Sequence, residues 1–285
     1  MSYPISSLLL MHSDDDLSEI LGAHIVKRET IHQWPLSCVQ LLLLDNGRKL
    51  IYKSQLPPTV EPDFYKNAKS DLLPGHRILG KLGNCDVMTI EWIDAPLLCE
   101  VEHSEADLIE HGRKIISQIG EISGNLPVYL DIGSIETWLY ASNTMLTRLI
   151  ELARNRRFRL IDHDIIKRLM LWAKSAETFE SVFSNSRIIH GDLKADQVFV
   201  TENGYRIIDW QRTVIAPPDV DLASLLIGQH IEPLNFMDST VVKIFWFLRL
   251  YWAVEAQFDL FPDNRWPLFD QWASEAAKHI LEIEA

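Results

Sequence analysis

Ile188-Ile189-His190-Gly191-Asp192-Leu193-Lys194-Ala195-Asp196-Gln197, followed by Ile207-Ile208-Asp209-Trp210, is the stretch on which the fold of this chain turns. Two carboxylates, Asp192 and Asp209, stand 17 residues apart, each beside a short run of apolar and β-branched residues. The run 187–190 reads as a short strand leading into a loop that carries Asp192. A second strand is expected over 197–200, a tight turn at Asn203-Gly204, and a third strand over 205–208. That pattern predicts Asp192 and Asp209 in neighbouring loops at one end of a small sheet. A single loop Asp is first of all a turn cap, and a lone His190 is first of all a satisfied, half-buried histidine. The conjunction weakens those plain assignments: His-x-Asp, a Gln five residues after the Asp, and Asp-Trp after two isoleucines. Phosphoryl transfer from a nucleotide needs one carboxylate to orient the attacking hydroxyl and a second to hold the metal on the phosphates.

Composition narrows the setting. The 285 residues suffice for one large domain or two smaller lobes. A hydrophobic fraction of 47% and a charged fraction of 24% are those of an ordinary globular protein rather than a disordered one. The net charge of −13 argues against a general nucleic-acid binder, which needs a basic surface. Cys38, Cys85 and Cys99 have no paired or metal-type spacing and are expected as buried, reduced thiols. The apolar run Leu8-Leu9-Leu10-Met11 lacks a basic flank, so no signal peptide is expected over 1–16. No window approaches the ~20 apolar residues of a membrane span. The expectation is a cytoplasmic protein without nucleic-acid or membrane partners.

Upstream, an apolar run over 36–44 and the segment Lys49-Leu50-Ile51-Tyr52-Lys53-Ser54 flank Asp45-Asn46-Gly47, a strong hairpin signal. Period-two alternation puts Ile51 and Lys53 on one face of the second strand. A lysine facing the core needs an anionic partner; the plainer alternative is a strand-end lysine with its ammonium in water. After Pro57-Pro58, the run from Val60 to Lys66 reads as a helix start with Pro62 in its first turn. Residues 87–93 read as a buried strand. Beyond Pro96 helical patterns dominate, near 104–124, 135–154, 164–184, 238–260 and 266–283, with Ser104 and Asp107 as a capping box. The expected division is a strand-rich part over 1–93, a connector at 94–97 and a helix-rich part over 98–285.

The loop His190-Gly191-Asp192-Leu193-Lys194-Ala195-Asp196-Gln197 resembles the His-Gly-Asp-x-x-x-x-Asn catalytic loop of aminoglycoside phosphotransferases and related small-molecule kinases such as choline kinases. Ile208-Asp209-Trp210-Gln211 is similar to the metal-binding segment of that family, and Asp221-Leu222-Ala223 to the start of its next helix. The resemblance is dense over about 186–228 and looser over about 31–94. It implies an α+β, protein-kinase-like bilobal fold with a small antiparallel-sheet lobe and a larger, mostly helical lobe. It also implies an ATP-dependent kinase acting on a small-molecule hydroxyl, aminoglycoside-like, amino alcohol or sugar. Asp192 would then orient the acceptor hydroxyl, and Asp209 with Gln197 would hold Mg²⁺. Lys53 would contact the α- and β-phosphates with Glu61 as helix partner and Asp63 as the nearest alternative. Glu91, Trp92 and Ile93 would line the adenine connector, while His190 and Asp221 would steady the loop.

Three departures stand out. Gln197 occupies the usual Asn position; its carbonyl oxygen still suits a hard cation, one methylene further out. No glycine occurs over 28–34, where protein kinases carry a phosphate loop. Lys194 follows Asp192 by two residues and is a candidate to steady the transferring phosphoryl charge, or else a solvated loop lysine. The acceptor is expected to be held by the helix-rich part, where Trp246, Arg249, Trp252, Glu255 and Asp259 follow roughly helical spacing over 238–260. The plainer reading of that stripe is core packing plus a solvated face, and no specificity is assigned from it. The alternative function is a nucleotide-binding pseudokinase with a regulatory or scaffold role, motivated by Gln197.

Overall fold

The computed structural model describes residues 6–183, 185–263 and 266–283; Ser184, at the end of the helix expected over 164–184, and the first five residues lie outside them. Contacts divide the chain into two compact units, each discontinuous in sequence. The first takes Met1–Val101, Ile122–Tyr129 and Asp196–Arg212; the second takes Glu102–Glu121, Leu130–Ala195 and Thr213–Ala285. The expected connector at 94–97 supposed a single passage from one part to the other. Here the segments 122–129 and 196–212 return to the first unit.

In the first unit, helix α1 (Asp14–Leu21) precedes strands β1 (Ile25–Trp34), β2 (Ser37–Leu44) and β3 (Lys49–Gln55). Helix α2 (Glu61–Asn67) and strands β4 (His76–Leu82) and β5 (Cys85–Glu91) follow. The five strands form an antiparallel sheet in the order β1-β2-β3-β5-β4, so β3 is central. The expected hairpin is β2–β3, turned at Gly47 with φ +81°, a conformation open to glycine at little steric cost. Alternation sorts the side chains of β3. Leu50, Tyr52 and Ser54 face one apolar layer, where Leu17, Leu42, Leu44 and Val87 are buried and the Ser54 hydroxyl donates to Leu10 O at 2.6 Å. Ile51, Lys53 and Gln55 face the other side, where Gln55 Nε2 donates to Glu61 of α2 at 3.1 Å. A central strand covered on both faces explains why Lys53 is buried. Helix α1 was not expected, although Ser13 and Asp16 form a capping box and Gly22 a left-handed C-cap.

Later in the chain, β8 (Val198–Thr201) and β9 (Gly204–Ile207) pair as a hairpin of this same unit. The second unit comprises α3 (Glu105–Ile119), β6 (Leu130–Asp131), α4 (Ile135–Arg154), α5 (His163–Trp172), α6 (Ala176–Phe183) and β7 (Arg187–Ile189). It continues with β10 (Val214–Ala216), α7 (Asp219–Gly228), α8 (Ser239–Glu255) and α9 (Pro267–Glu282). Strand β7 does not join β8 and β9 as expected; it pairs antiparallel with β10, which pairs parallel with β6. Val214 and Ile215 supply a partner for β7 that lies far ahead in sequence, a pairing invisible to local pattern.

Local chemistry explains the other differences. The Ser104–Asp107 capping box forms as expected, but α3 stops at Ile119 rather than near Gly124, because Ser123 pairs with Lys69 through main-chain bonds of 2.8 and 3.3 Å. The helix expected over 164–184 is two: Trp138 Nε1 donates to the Ala173 carbonyl at 2.8 Å, and Ser175 caps a new start at Ala176 by accepting from the Thr178 N–H. Helix α8 is buried almost all round and passes into a single π-turn over Ala256–Leu260. Its Phe247 lies against Trp138, ring centroids 4.5 Å apart. Cys38 and Cys85 are buried, but Cys99, expected buried, is exposed, and all three are free thiols. No helix of the described residues is long and apolar enough to cross a membrane.

Gly124 allows the return of the chain to the first unit. Its φ is +124°, and a Cβ there would lie 2.1 Å from the Asn67 carbonyl oxygen. Gly124→Ala is expected to cost about 2–3 kcal/mol through strain and backbone displacement, read as a lower urea midpoint with unchanged m.

Candidate active site

In the first unit one ammonium joins three elements. Lys53 of β3 places Nζ 2.5 Å from Glu61 Oε2 of α2 and 2.7 Å from Asp209 Oδ1, which follows β9. Glu61 is fully buried and Lys53 nearly so, whereas Asp209 is about a third exposed. Burial alone would lower the Lys53 pKa, but the charges of Asp209 and Glu61 outweigh it and hold the ammonium above its ordinary value. Desolvation pushes the Glu61 carboxyl up, and the Lys53 charge draws it part of the way back. The exposed Asp63 on α2 takes no part in this group, since two residues along the helix turn it away by roughly 200°.

Asp209 sits at φ +73°, in the left-handed region that a non-glycine residue rarely enters. Two features hold it there. Trp210 stacks on Phe64 of α2, centroids 4.5 Å apart and planes 9° from parallel, and the Trp210 indole donates to Ile207 O at 2.9 Å. On its other oxygen, Asp209 accepts from Gln197 Nε2 and Gln211 Nε2, each at 3.4 Å. Turned by 180° about its terminal bond, the Gln197 amide presents a carbonyl oxygen beside the Asp209 carboxylate, a hard donor pair of the kind Mg²⁺ takes. Among the described residues no cluster of three or more His, Cys, Asp or Glu is disposed to hold a metal. A cation at Asp209 would therefore rest on few protein ligands, as Mg²⁺ on a nucleotide does.

Glu91 ends β5 of the same sheet, and Trp92 and Ile93 follow it. The Glu91 N–H donates to Gly75 O at 2.7 Å, Trp92 is exposed with the Lys49 ammonium 5.4 Å from its ring centroid, and Ile93 is half-buried.

Within the second unit the loop after β7 carries the other carboxylate. Asp221 of α7 is buried and accepts from the main-chain N–H of His190 at 2.7 Å and of Gly191 at 2.9 Å. Gly191 has φ +85°, the turn that brings the next residue out of the strand. Desolvation raises the Asp221 pKa to about 6, against the opposing pull of His190 and the two N–H donors. Asp192, less buried, meets two cations: Arg249 Nη1 of α8 at 2.8 Å and Lys194 Nζ at 3.4 Å. Arg249 stood in the helical stripe with no assigned role. Its signal was a lone arginine in the apolar run Phe245–Leu250. From the same stripe, Trp252 and Glu255 are buried, Trp246 stacks on His279 at 4.0 Å, and Asp259 pairs with Arg148 at 2.7 Å.

The family model described as the phosphotransferase enzyme family matches residues 101–242. Residues 101–242 belong to that family. The resemblance seen in the 190–197 loop is thereby borne out, and with it the class of small-molecule phosphotransferase. The match spans Asp192, Gln197, Asp209 and Asp221, and leaves Lys53, Glu61 and Arg249 outside it. No curated protein matches the chain in sequence. Among solved structures, a spectinomycin phosphotransferase in complex with ADP and spectinomycin superposes with TM-score 0.61 at 13% identity, covering 96% of this chain and 99% of that one. A putative fructosamine-3-kinase from Thermobifida fusca gives 0.57 at 13% identity over 94% and 98%. A type I macrolide 2'-phosphotransferase gives 0.54 at 14% identity over 97% and 99%. At these identities the likeness establishes the α+β, protein-kinase-like fold.

Two outcomes test this geometry. Lys53→Met leaves Glu61 buried without its cation and is expected to cost about 3–5 kcal/mol in chemical denaturation. For Asp221 the folded pKa lies above the ordinary 3.8. Between pH ~4 and ~6 the unfolded chain has then lost a proton that the folded chain keeps, so stability falls as pH rises through that window. The contribution is on the order of 2 kcal/mol, and Asp221→Asn is expected to flatten that part of the curve of urea midpoint against pH, whatever its absolute stability.

Proposed function

We propose that the chain is an ATP-dependent kinase that moves the γ-phosphoryl group to a hydroxyl of a small molecule. The observation that carries this is the buried Lys53, held by Glu61 and Asp209 together. Burying the Lys53–Glu61 pair beside a partly exposed Asp209 is costly, and charged groups of this kind cluster at functional sites. Lys53 would bind the α- and β-phosphates, and Glu61 would keep its ammonium oriented. Asp209 and Gln197 would hold Mg²⁺, which when bound bridges the phosphates and neutralises their charge. Glu91, Trp92 and Ile93 would receive the adenine. Asp192 would accept the hydrogen bond of the acceptor hydroxyl and orient it for in-line attack, taking its proton as the bond to phosphorus forms. Lys194 would offset charge on the transferring group. The loop geometry supports this assignment, because Asp221 holds the backbone before Asp192 rather than Asp192 itself. The ADP in the spectinomycin phosphotransferase complex supports the nucleotide, and the spectinomycin there supports a small-molecule acceptor.

Gln197 is where a pseudokinase would differ, since it stands in the position usually held by the metal-binding Asn. Thermal stabilisation by ATP is expected to grow with Mg²⁺ and to lose that increment in Asp209→Asn. Asp192→Asn is expected to lower acceptor-dependent ADP release by about 10²–10⁴-fold with nucleotide binding retained. Nucleotide binding without any turnover that depends on Asp192, across a panel of hydroxylated acceptors, would establish the pseudokinase instead.

A further inference from the structure

We propose that Arg249 makes the acceptor site selective for a hydroxyl compound bearing an anionic group, a carboxylate or a phosphate, near the hydroxyl that is phosphorylated. This rests on the assignment of Asp192 as the group that receives that hydroxyl.

Asp192 is the meeting point of two cations, Arg249 on Oδ1 and Lys194 on Oδ2, so the three groups together carry one net positive charge. None is sealed off: the side chains of Asp192, Arg249 and Lys194 are 18%, 30% and 39% exposed. Arg249 touches Asp192 through Nη1, and a guanidinium carries five donors in a planar fork, enough for a second, bidentate partner. The Phe245 ring lies 5.1 Å from its central carbon and supports the plane from one side.

Two nearby carboxylates are committed to other partners. Asp259 is tied to Arg148 at 2.7 Å, and Asp221 spends both oxygens on the His190 and Gly191 N–H groups. Glu255 is buried and lies six residues on from Arg249, roughly 240° round the helix. An acceptor with an ammonium beside its hydroxyl would approach two cations at close range. One with a carboxylate or phosphate there would be drawn in, giving Arg249 a second anion while the hydroxyl takes its place at Asp192. The preference runs opposite to the chain's net charge of −13, which would favour cations on average. Local pairing outweighs that average, because exposed charges beyond about 10 Å are largely screened at ordinary salt.

The experiment compares acceptors built on one carbon skeleton: glycerate, glycerol phosphate, glycerol and serinol. Coupled ADP release is measured for wild type, Arg249→Gln and Arg249→Lys, with Asp192→Asn as the blank. Expected is a kcat/KM for glycerate or glycerol phosphate at least about tenfold above that for serinol. The ratio should collapse in Arg249→Gln, chiefly through KM, and be partly kept in Arg249→Lys. Which of the two anions is preferred separates a carboxylate acceptor from a phosphate one. A wild-type preference for serinol overturns the proposal. So does an Arg249→Gln variant that loses the same factor in kcat on every acceptor, which would mark Arg249 as only holding Asp192 in place.

A binding measurement stands apart from turnover: the thermal shift produced by glycerate or glycerol phosphate against sodium chloride of equal ionic strength. A shift lost in Arg249→Gln supports the anion site even if none of the four acceptors is phosphorylated. A shift that is absent, or unchanged by the substitution, overturns it. Failure of ATP and Mg²⁺ to stabilise the protein would instead count against the kinase assignment.

Discussion

A single buried ammonium organises the first unit. Lys53 can lie inside a central strand only because Glu61 comes from α2 and Asp209 from the turn after β9 to meet it. Each charge would be costly there alone, by several kcal/mol, so the three elements are held in one arrangement by the cost of separating them. That requirement also accounts for the strained backbone of Asp209: with φ at +73°, the residue turns its carboxylate toward Lys53 while Trp210 is anchored on Phe64. Strain of this kind persists where the surroundings over-determine it.

The second unit solves a related problem by a different device. Its candidate catalytic carboxylate, Asp192, is not buried, and its position is set by main-chain bonds just before it. Asp221 takes the N–H groups of His190 and Gly191 and so fixes the strand exit, leaving Asp192 to interact with Arg249 and Lys194. Rigidity therefore sits in the backbone and charge sits in the side chain. That division suits the role proposed for Asp192, in which it would exchange one partner for the acceptor hydroxyl.

Much of this was legible in the residues. The β2–β3 hairpin follows from Asn46-Gly47 between apolar runs, and period-two alternation puts Lys53 on the side that needs a counter-charge. The start of α3 follows from Ser104 and Asp107, and α4 from its apolar spacing. Glu61 could be preferred over Asp63 only modestly before burial separated them. What misled was pairing at a distance. Strand β7 was grouped with its neighbours in sequence, but its hydrogen-bonding partner is β10, and β10 also recruits β6. The break between α5 and α6 had no strong punctuation, because the group that takes the Ala173 carbonyl is an indole 35 residues earlier. Arg249 was visible as a polar residue in an apolar helix, yet its partner could not be read from helical spacing.

By itself, the sequence determined what is local in range: the hairpin turn, the helix caps, and the spacing of His190, Asp192, Gln197 and Asp209 that carries the resemblance to the phosphotransferase family. These features depend on dihedral preferences and neighbours a few residues apart, which the order of residues contains directly. Only the tertiary structure decided which charges meet. Lys53 lies 156 residues before Asp209, and Asp192 lies 57 before Arg249, so their pairing depends on how elements stack and on which groups lose water when they do. Desolvation is a property of the folded surroundings, and it selects Glu61 over Asp63.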